Sequence, residues 1–178
     1  MGESHVMYAW AKNAPPTSLP EDVAFKIAQD ELIVLQIHYA NEFQDPDHTS
    51  VTVKISQDKP KFFAGIYLLW LNYLVIPPGK TETKGDMNCF FTQETPFHIF
   101  AYRPHAHELG RKVIGMLTDE TTQSSQIIAN GDPQKPQAFY PLSEIKTMKK
   151  GDNIFARCVY DSTSKKIVTR IGATAGKV

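Results

Sequence analysis

Cysteine is scarce: Cys89 and Cys158 are the only two in 178 residues. Two cannot define a disulfide scaffold, and the residues alone leave open whether they pair with each other or stay as buried free thiols. Excess charge is missing as well. Lys and Arg total 19 and Asp and Glu total 19. A chain without net charge is poorly suited to nucleic acid or to an anionic membrane surface. Long hydrophobic runs are absent. The longest, Phe62–Ile76, has 15 residues, includes Asn72 and ends in the turn Pro77-Pro78-Gly79. A membrane-spanning helix needs about 20 apolar residues, so this run reads as one long or two short buried strands. The start, Met1-Gly-Glu-Ser-His, has neither the basic stretch nor the apolar core of a secretory signal. Helical periodicity and internal repeats are lacking too.

What is present is strand chemistry. Val, Ile, Tyr, Phe and Thr are common, and 12 prolines punctuate the chain. Short strands are expected at Met7–Trp10, Val23–Ala28, Leu32–Tyr39, Val51–Ile55, within Phe62–Ile76 and around Met87–Phe91. More follow at Phe97–His107, Arg111–Leu117, Gln126–Asn130, Phe139–Leu142 and Ile154–Tyr160, the last turning through Asp161–Lys165 into a hairpin with Lys166–Ile171. Many short strands closely spaced between turns predict an all-β fold, an antiparallel β-sandwich or jelly roll. Polar Asn41–Thr49, with Asp45-Pro46-Asp47, is the best candidate for a domain boundary.

The chemistry concentrates in Pro96–Gly110, which reads Pro-Phe-His-Ile-Phe-Ala-Tyr-Arg-Pro-His-Ala-His-Glu-Leu-Gly. In an extended chain, residues i, i+2 and i+4 share one face, about 6–7 Å apart. Arg103, His105 and His107 then line up on one side, with Ile99 and Ala101 upstream. Two imidazoles at this spacing can converge on a metal ion, and a guanidinium beside them can grip a carboxylate through two parallel hydrogen bonds. The blander alternative is two half-exposed histidines and a surface arginine in an ion pair. His98 is out of phase and belongs to packing or hydrogen bonding. Pro104 removes a backbone donor, so the strand should be an edge or carry a bulge there.

The segment His98–Gly110 resembles the copper-binding strand of the copper type II, ascorbate-dependent monooxygenases. The likeness continues collinearly through Tyr8-Ala-Trp-Ala-Lys-Asn-Ala-Pro-Pro-Thr17, Leu35-Gln-Ile-His-Tyr39, Ile76-Pro-Pro-Gly79, Pro136-Gln-Ala-Phe-Tyr-Pro141 and Gly151-Asp-Asn-Ile-Phe-Ala-Arg-Cys158. The surroundings of Arg103 and the Gln-Ala-Phe-Tyr-Pro run favour the peptidylglycine branch over the dopamine-β branch. The resemblance implies two β-sandwich copper domains. Residues 1–50 would hold the last strands of the electron-transfer domain and a connector, and 51–178 most of the catalytic domain.

By the same resemblance, His105 and His107 are two ligands of the catalytic copper. The third, a methionine thioether, is expected just beyond Val178, since Met1, Met7, Met87, Met116 and Met148 stand elsewhere. His38 matches one ligand of the electron-transfer copper, whose other two, an adjacent His-His pair, are not in this sequence. Gln36, on the same face as His38, is a candidate to orient it. Arg103 matches the anchor for the substrate carboxylate. The implied activity is hydroxylation of the α-carbon of a C-terminal glycine in peptides, with O2, two coppers in the full-length enzyme and ascorbate as electron donor, in the secretory lumen or outside the cell. Cys89 and Cys158 would each form a disulfide with a residue nearer the C-terminus, and so not with each other. A cysteine that the family often has is missing from Asn41–Ser50. The alternatives are a dopamine-β-type hydroxylase, which needs no carboxylate anchor, or a non-catalytic copper-binding fragment or paralogue. This chain by itself is expected to be incomplete and inactive.

Overall fold

A computed structural model describes residues 6–39 and 46–172. Part of the expected connector, residues 41–45, and the expected continuation toward a methionine ligand lie outside them. The described residues form strands and loops without a helix, as the β-rich composition predicts. Among the described residues no helix is therefore long and apolar enough to cross a membrane.

The chain divides into two compact units. The first gathers Met1–Met7 and Ser18–Ile66. Its strands among the described residues are β1 (Val23–Phe25) and β2 (Phe62–Ala64), paired in parallel. The strands expected at Leu32–Tyr39 and Val51–Ile55 do not form. Leu32 is 91% exposed and Ile55 81%, and neither segment pairs with another strand. The physical reason is that a strand gains its hydrogen bonds and burial only from neighbours. The apolar alternation is real, but among the described residues it meets no sheet.

The second unit gathers Tyr8–Thr17 and Tyr67–Val178. Its strands are β3 (Tyr73–Ile76), β4 (Thr83–Phe90), β5 (Phe97–Tyr102), β6 (Gly110–Thr118), β7 (Ser125–Gly131), β8 (Tyr140–Met148), β9 (Asn153–Tyr160) and β10 (Thr169–Gly172). One antiparallel sheet runs β4-β9-β6-β7. Two antiparallel pairs, β5-β8 and β10-β3, complete the unit. Along β9, inward Ile154, Ala156, Cys158 and Tyr160 alternate with less buried neighbours, the period-two signature of a sheet with one buried face.

The core has two parts. Leu117, Ile128 and Ile154 from the large sheet pack with Phe91, Met148 and the half-buried Phe97, Ile99 and Leu142 of the β5-β8 side. Cys158 and Tyr160 pack with Ile76 of β3 and with Ala106 and Leu109 from the segment after β5. The architecture is thus the expected β-sandwich. Several local expectations need correction. Met7–Trp10 is not a strand. Of Phe62–Ile76 only the two ends are strands, and Leu68 and Trp70 in between are exposed. β8 is longer than expected, reaching Met148. β10 pairs with β3 rather than returning beside β9, because both flanks of β9 are already occupied by β4 and β6.

Two buried polar side chains fasten the turns. Ser162 donates from Oγ to the Pro77 carbonyl at 2.6 Å and accepts from the Lys80 amide at 3.1 Å. It thereby holds the Pro77-Pro78-Gly79 turn, where Gly79 sits at φ +68°. Asp152 accepts the Glu120 amide on Oδ1 at 3.0 Å and the Lys149 amide on Oδ2 at 2.9 Å, joining the β6-β7 and β8-β9 turns. Replacing Asp152 by alanine strips two amides of their acceptor. The expected loss is about 2–4 kcal/mol of stability, read as a lowered unfolding midpoint in urea, with Asp152→Asn milder. A midpoint unchanged in Asp152→Ala contradicts the bracing role.

Candidate metal centre

The strand that carries the site is shorter than the sequence suggests. β5 ends at Tyr102, and Arg103–His107 runs on without ladder pairing. The β5-β8 register shifts between Ile99 and Ala101, after which Ala101 and Tyr102 pair again, and the ladder ends before Pro104, which has no N–H to give a neighbour. β5 is an edge strand, paired with β8 alone, but its irregularity lies at Ile99–Ala101 rather than at Pro104, and the expected strand through His107 does not form. The shift also means that Ile99 and Ala101 do not continue the site's face by simple strand register.

The alternation of faces survives the loss of the ladder. Pro104 and Ala106 are buried, Arg103 is half-buried, and His105 and His107 are exposed. Ala106 and Leu109 sit in the core beside Ile76 and Tyr160. Burying the small intervening residues turns the two histidines outward together. The loop closes as the Gly110 amide donates to the His107 carbonyl at 2.9 Å. Gly110 is required there, since a Cβ on it would stand 2.4 Å from the Ala106 Cβ.

The rings of His105 and His107 meet edge to face with centroids 5.3 Å apart and planes at 86°. Two imidazoles on one metal, at metal–nitrogen distances of about 2 Å and a tetrahedral angle, have ring centres about 5 Å apart. The observed separation suits a shared ion. Imidazole pairs suit copper, zinc, iron or nickel alike. Among the described residues no group of three His, Cys, Asp or Glu could hold a metal, so a further ligand has to be of another kind or lie elsewhere.

Gln137, to which the sequence pattern of Pro136–Pro141 assigns no role, organises these residues. Its side-chain Nε2 donates to the Ala106 carbonyl at 3.1 Å and to the Pro133 carbonyl at 3.0 Å. Its Oε1 is hydrogen-bonded to His105 Nδ1. Its backbone carbonyl accepts from Arg103 Nε at 2.9 Å. From the same loop, Gln134 Nε2 donates to the carbonyls of His107 and Gly110 at 3.0 and 2.9 Å. Although His105 is exposed as a residue, partial desolvation of its ring against the loop pulls its pKa below the ordinary value; the Gln137 hydrogen bond opposes this, and Arg103 and His107 add to the lowering. A neutral ring is the form that binds metal.

Burial draws the pKa of Arg103 down, with the Tyr8 phenol acting the other way; it remains a cation, as arginine does. Among the described residues it has no carboxylate within ion-pair distance. Tyr8 stacks on Phe139 at 5.7 Å, and Tyr102 lies 5.9 Å from Tyr140. The Tyr8 motif and the Gln137-Ala-Phe-Tyr-Pro141 run therefore meet around Arg103. His98 accepts or donates to Thr147 Oγ1 at 3.0 Å on the paired strand, away from the site as expected. His38 and Gln36 lie in the first unit, exposed and outside any strand. Cys89 and Cys158 are free thiols, as expected of the two with respect to each other. Cys89 Sγ lies 2.9 Å from the Tyr67 hydroxyl.

Comparison with known proteins shows the family. The family model described as copper type II ascorbate-dependent monooxygenase, C-terminal domain, matches residues 62–177. A peptidyl-glycine alpha-amidating monooxygenase A of Xenopus laevis is 42% identical over 182 residues, covering 98% of this chain and 19% of its own length. A peptidylglycine alpha-amidating monooxygenase of Rattus norvegicus is 36% identical, covering 97% of this chain and 18% of its own. A dopamine beta-hydroxylase of Bos taurus is 25% identical, covering 93% of this chain and 30% of its own. The chain spans about a fifth of the length of its amidating relatives.

Proposed function

Because this chain belongs to the copper type II, ascorbate-dependent monooxygenases, we propose that within its full-length protein it helps hydroxylate the α-carbon of a C-terminal glycine in peptides. The observation that carries the reading is the edge-to-face approach of the His105 and His107 rings, at 5.3 Å, beside a half-buried Arg103 that has no carboxylate within ion-pair distance among the described residues. His105 and His107 would hold the catalytic copper. When bound, that copper supplies the activation of O2, with electrons that come from ascorbate. His38 would serve a second copper in the full-length enzyme, with ligands from outside this chain. The methionine ligand, disulfides of Cys89 and Cys158 to later residues, and a secretory-lumen or extracellular setting belong to the same reading.

The work of this chain's own residues is positioning. Arg103 Nε is committed to the Gln137 carbonyl, which fixes the guanidinium plane and leaves its terminal nitrogens for a carboxylate fork. In a C-terminal glycine the α-carbon is one bond from that carboxylate. Holding the carboxylate therefore fixes the carbon to be attacked relative to the histidine pair, two to four residues along the same face. Such fixing lowers the barrier by removing orientational freedom before the reaction.

The dopamine-type reading has the 25% identical relative in its favour, but its phenethylamine substrate has no use for Arg103. The deciding assay supplies the full-length protein with copper, ascorbate and O2. A peptide ending in glycine should gain one oxygen at its α-carbon, and the same peptide carrying a C-terminal amide should react far less. Turnover of a phenethylamine with none of the peptide reverses the assignment, and stoichiometric copper binding without turnover of either supports a non-catalytic copper protein.

A further inference from the structure

We propose that Gln137 is the positioning residue that sets the tautomer of His105, presenting Nε2 to the metal; the inference rests on the reading of His105 and His107 as copper ligands. The amide orientation is dictated by its neighbours. Nε2 faces two carbonyls, those of Ala106 at 3.1 Å and Pro133 at 3.0 Å. Turning the amide over would set Oε1 against both with no proton between them. Oε1 therefore points at His105 Nδ1. An amide oxygen accepts only, so Nδ1 carries the proton. A neutral imidazole with Nδ1–H keeps its lone pair on Nε2, and that is the nitrogen left for a metal.

The two carbonyl contacts make this more than a passing hydrogen bond. They anchor the amide to the backbone of the ligand loop itself, at Ala106 between the histidines. Gln137 thus holds the His105 ring against the frame that His107 also hangs from, and its own backbone carbonyl restrains Arg103. Gln134 gives a built-in contrast. It comes from the same loop and braces the backbone at His107 and Gly110, yet no imidazole nitrogen of the site depends on it.

Three variants of the full-length protein separate holding the ring from bracing the loop. Gln137→Leu removes both the acceptor and the donors. Gln137→Glu keeps the acceptor; its other oxygen, set against the two carbonyls, holds a proton and donates once where the amide donated twice. Gln134→Leu loses bracing alone. Copper affinity is measured by chelator competition, and the bound Cu(II) by pulsed electron paramagnetic resonance, which senses the remote ring nitrogen. Gln137→Leu should weaken copper at this site by about 10–100-fold and shift the remote-nitrogen coupling. Gln137→Glu should stay within a few-fold of the parent, and so should Gln134→Leu. The apparent KM for a glycine-ended peptide should change little at saturating copper, since the carbonyl that holds Arg103 belongs to the backbone.

Equal losses in Gln137→Leu and Gln134→Leu, or in Gln137→Leu and Gln137→Glu, overturn the proposal in favour of loop bracing. If Gln137→Leu fails to fold, the Glu variant still decides: a loss of copper matching that of His105→Ala refutes the acceptor role. Unchanged copper affinity in His105→Ala itself defeats the underlying copper reading, whereas copper lost in His105→Ala but kept in Gln137→Leu defeats only the role of Gln137.

Discussion

Replacing His105 or His107 by alanine in the full-length protein should lower turnover of a glycine-ended peptide by at least about a thousandfold. The bound metal contributes several kcal/mol to such a reaction, and each 1.36 kcal/mol is about tenfold in rate. Each variant should also bind one copper fewer, because a pair of imidazoles cut to one no longer forms a chelating site. The fold should survive. Both rings lie on the exposed side of the loop, and its anchors in the core are Pro104, Ala106 and Leu109. His98→Ala is the matched control, since His98 faces Thr147 on the neighbouring strand; copper content and turnover should stay at the parent level. A His107→Ala protein that keeps both its copper and its peptide turnover would remove the site from this loop altogether.

The sequence was most legible where a segment's surroundings are regular. Asn153–Tyr160 alternates because β9 lies between β4 and β6 with one face on the core, so its pattern alone placed it. The site's face was legible for a reason other than the one the pattern suggests. His105 and His107 share an outward side not through a ladder but because Pro104 and Ala106 are small enough to be buried beside them, and Arg103 is half-buried. Leu32–Tyr39 shows the opposite case. It has strand periodicity, yet nothing local says whether a partner strand is at hand, and exposed apolar side chains are the result. Gln137 was illegible as a site residue because its meaning is long-range. It stands 32 positions from His105, and only the turn of the chain through β6 and β7 brings them together. The motif around it was visible; the hydrogen bonds that give it a role were not.

Arg103→Gln is expected to weaken binding of a glycine-ended peptide by roughly ten- to hundredfold while copper loading stays intact. A charge-assisted pair between guanidinium and carboxylate is worth about 1.5–3 kcal/mol, and desolvation at the half-buried Arg103 keeps solvent screening from erasing it. Arg103→Lys should recover only part, because an ammonium cannot present the planar fork and also lacks the Nε that reaches the Gln137 carbonyl. The sharper test pairs each enzyme with two peptides, one ending in a free carboxylate and one in an amide. In the parent protein the amide should cost most of the binding that Arg103→Gln costs. In the variant it should cost little more, since the group that recognised the carboxylate has gone. Losses that simply add in this cycle mean that the arginine and the carboxylate do not meet. The half-buried cation would then be a structural clasp on the loop of Gln137, and a substrate without a carboxylate would regain the advantage.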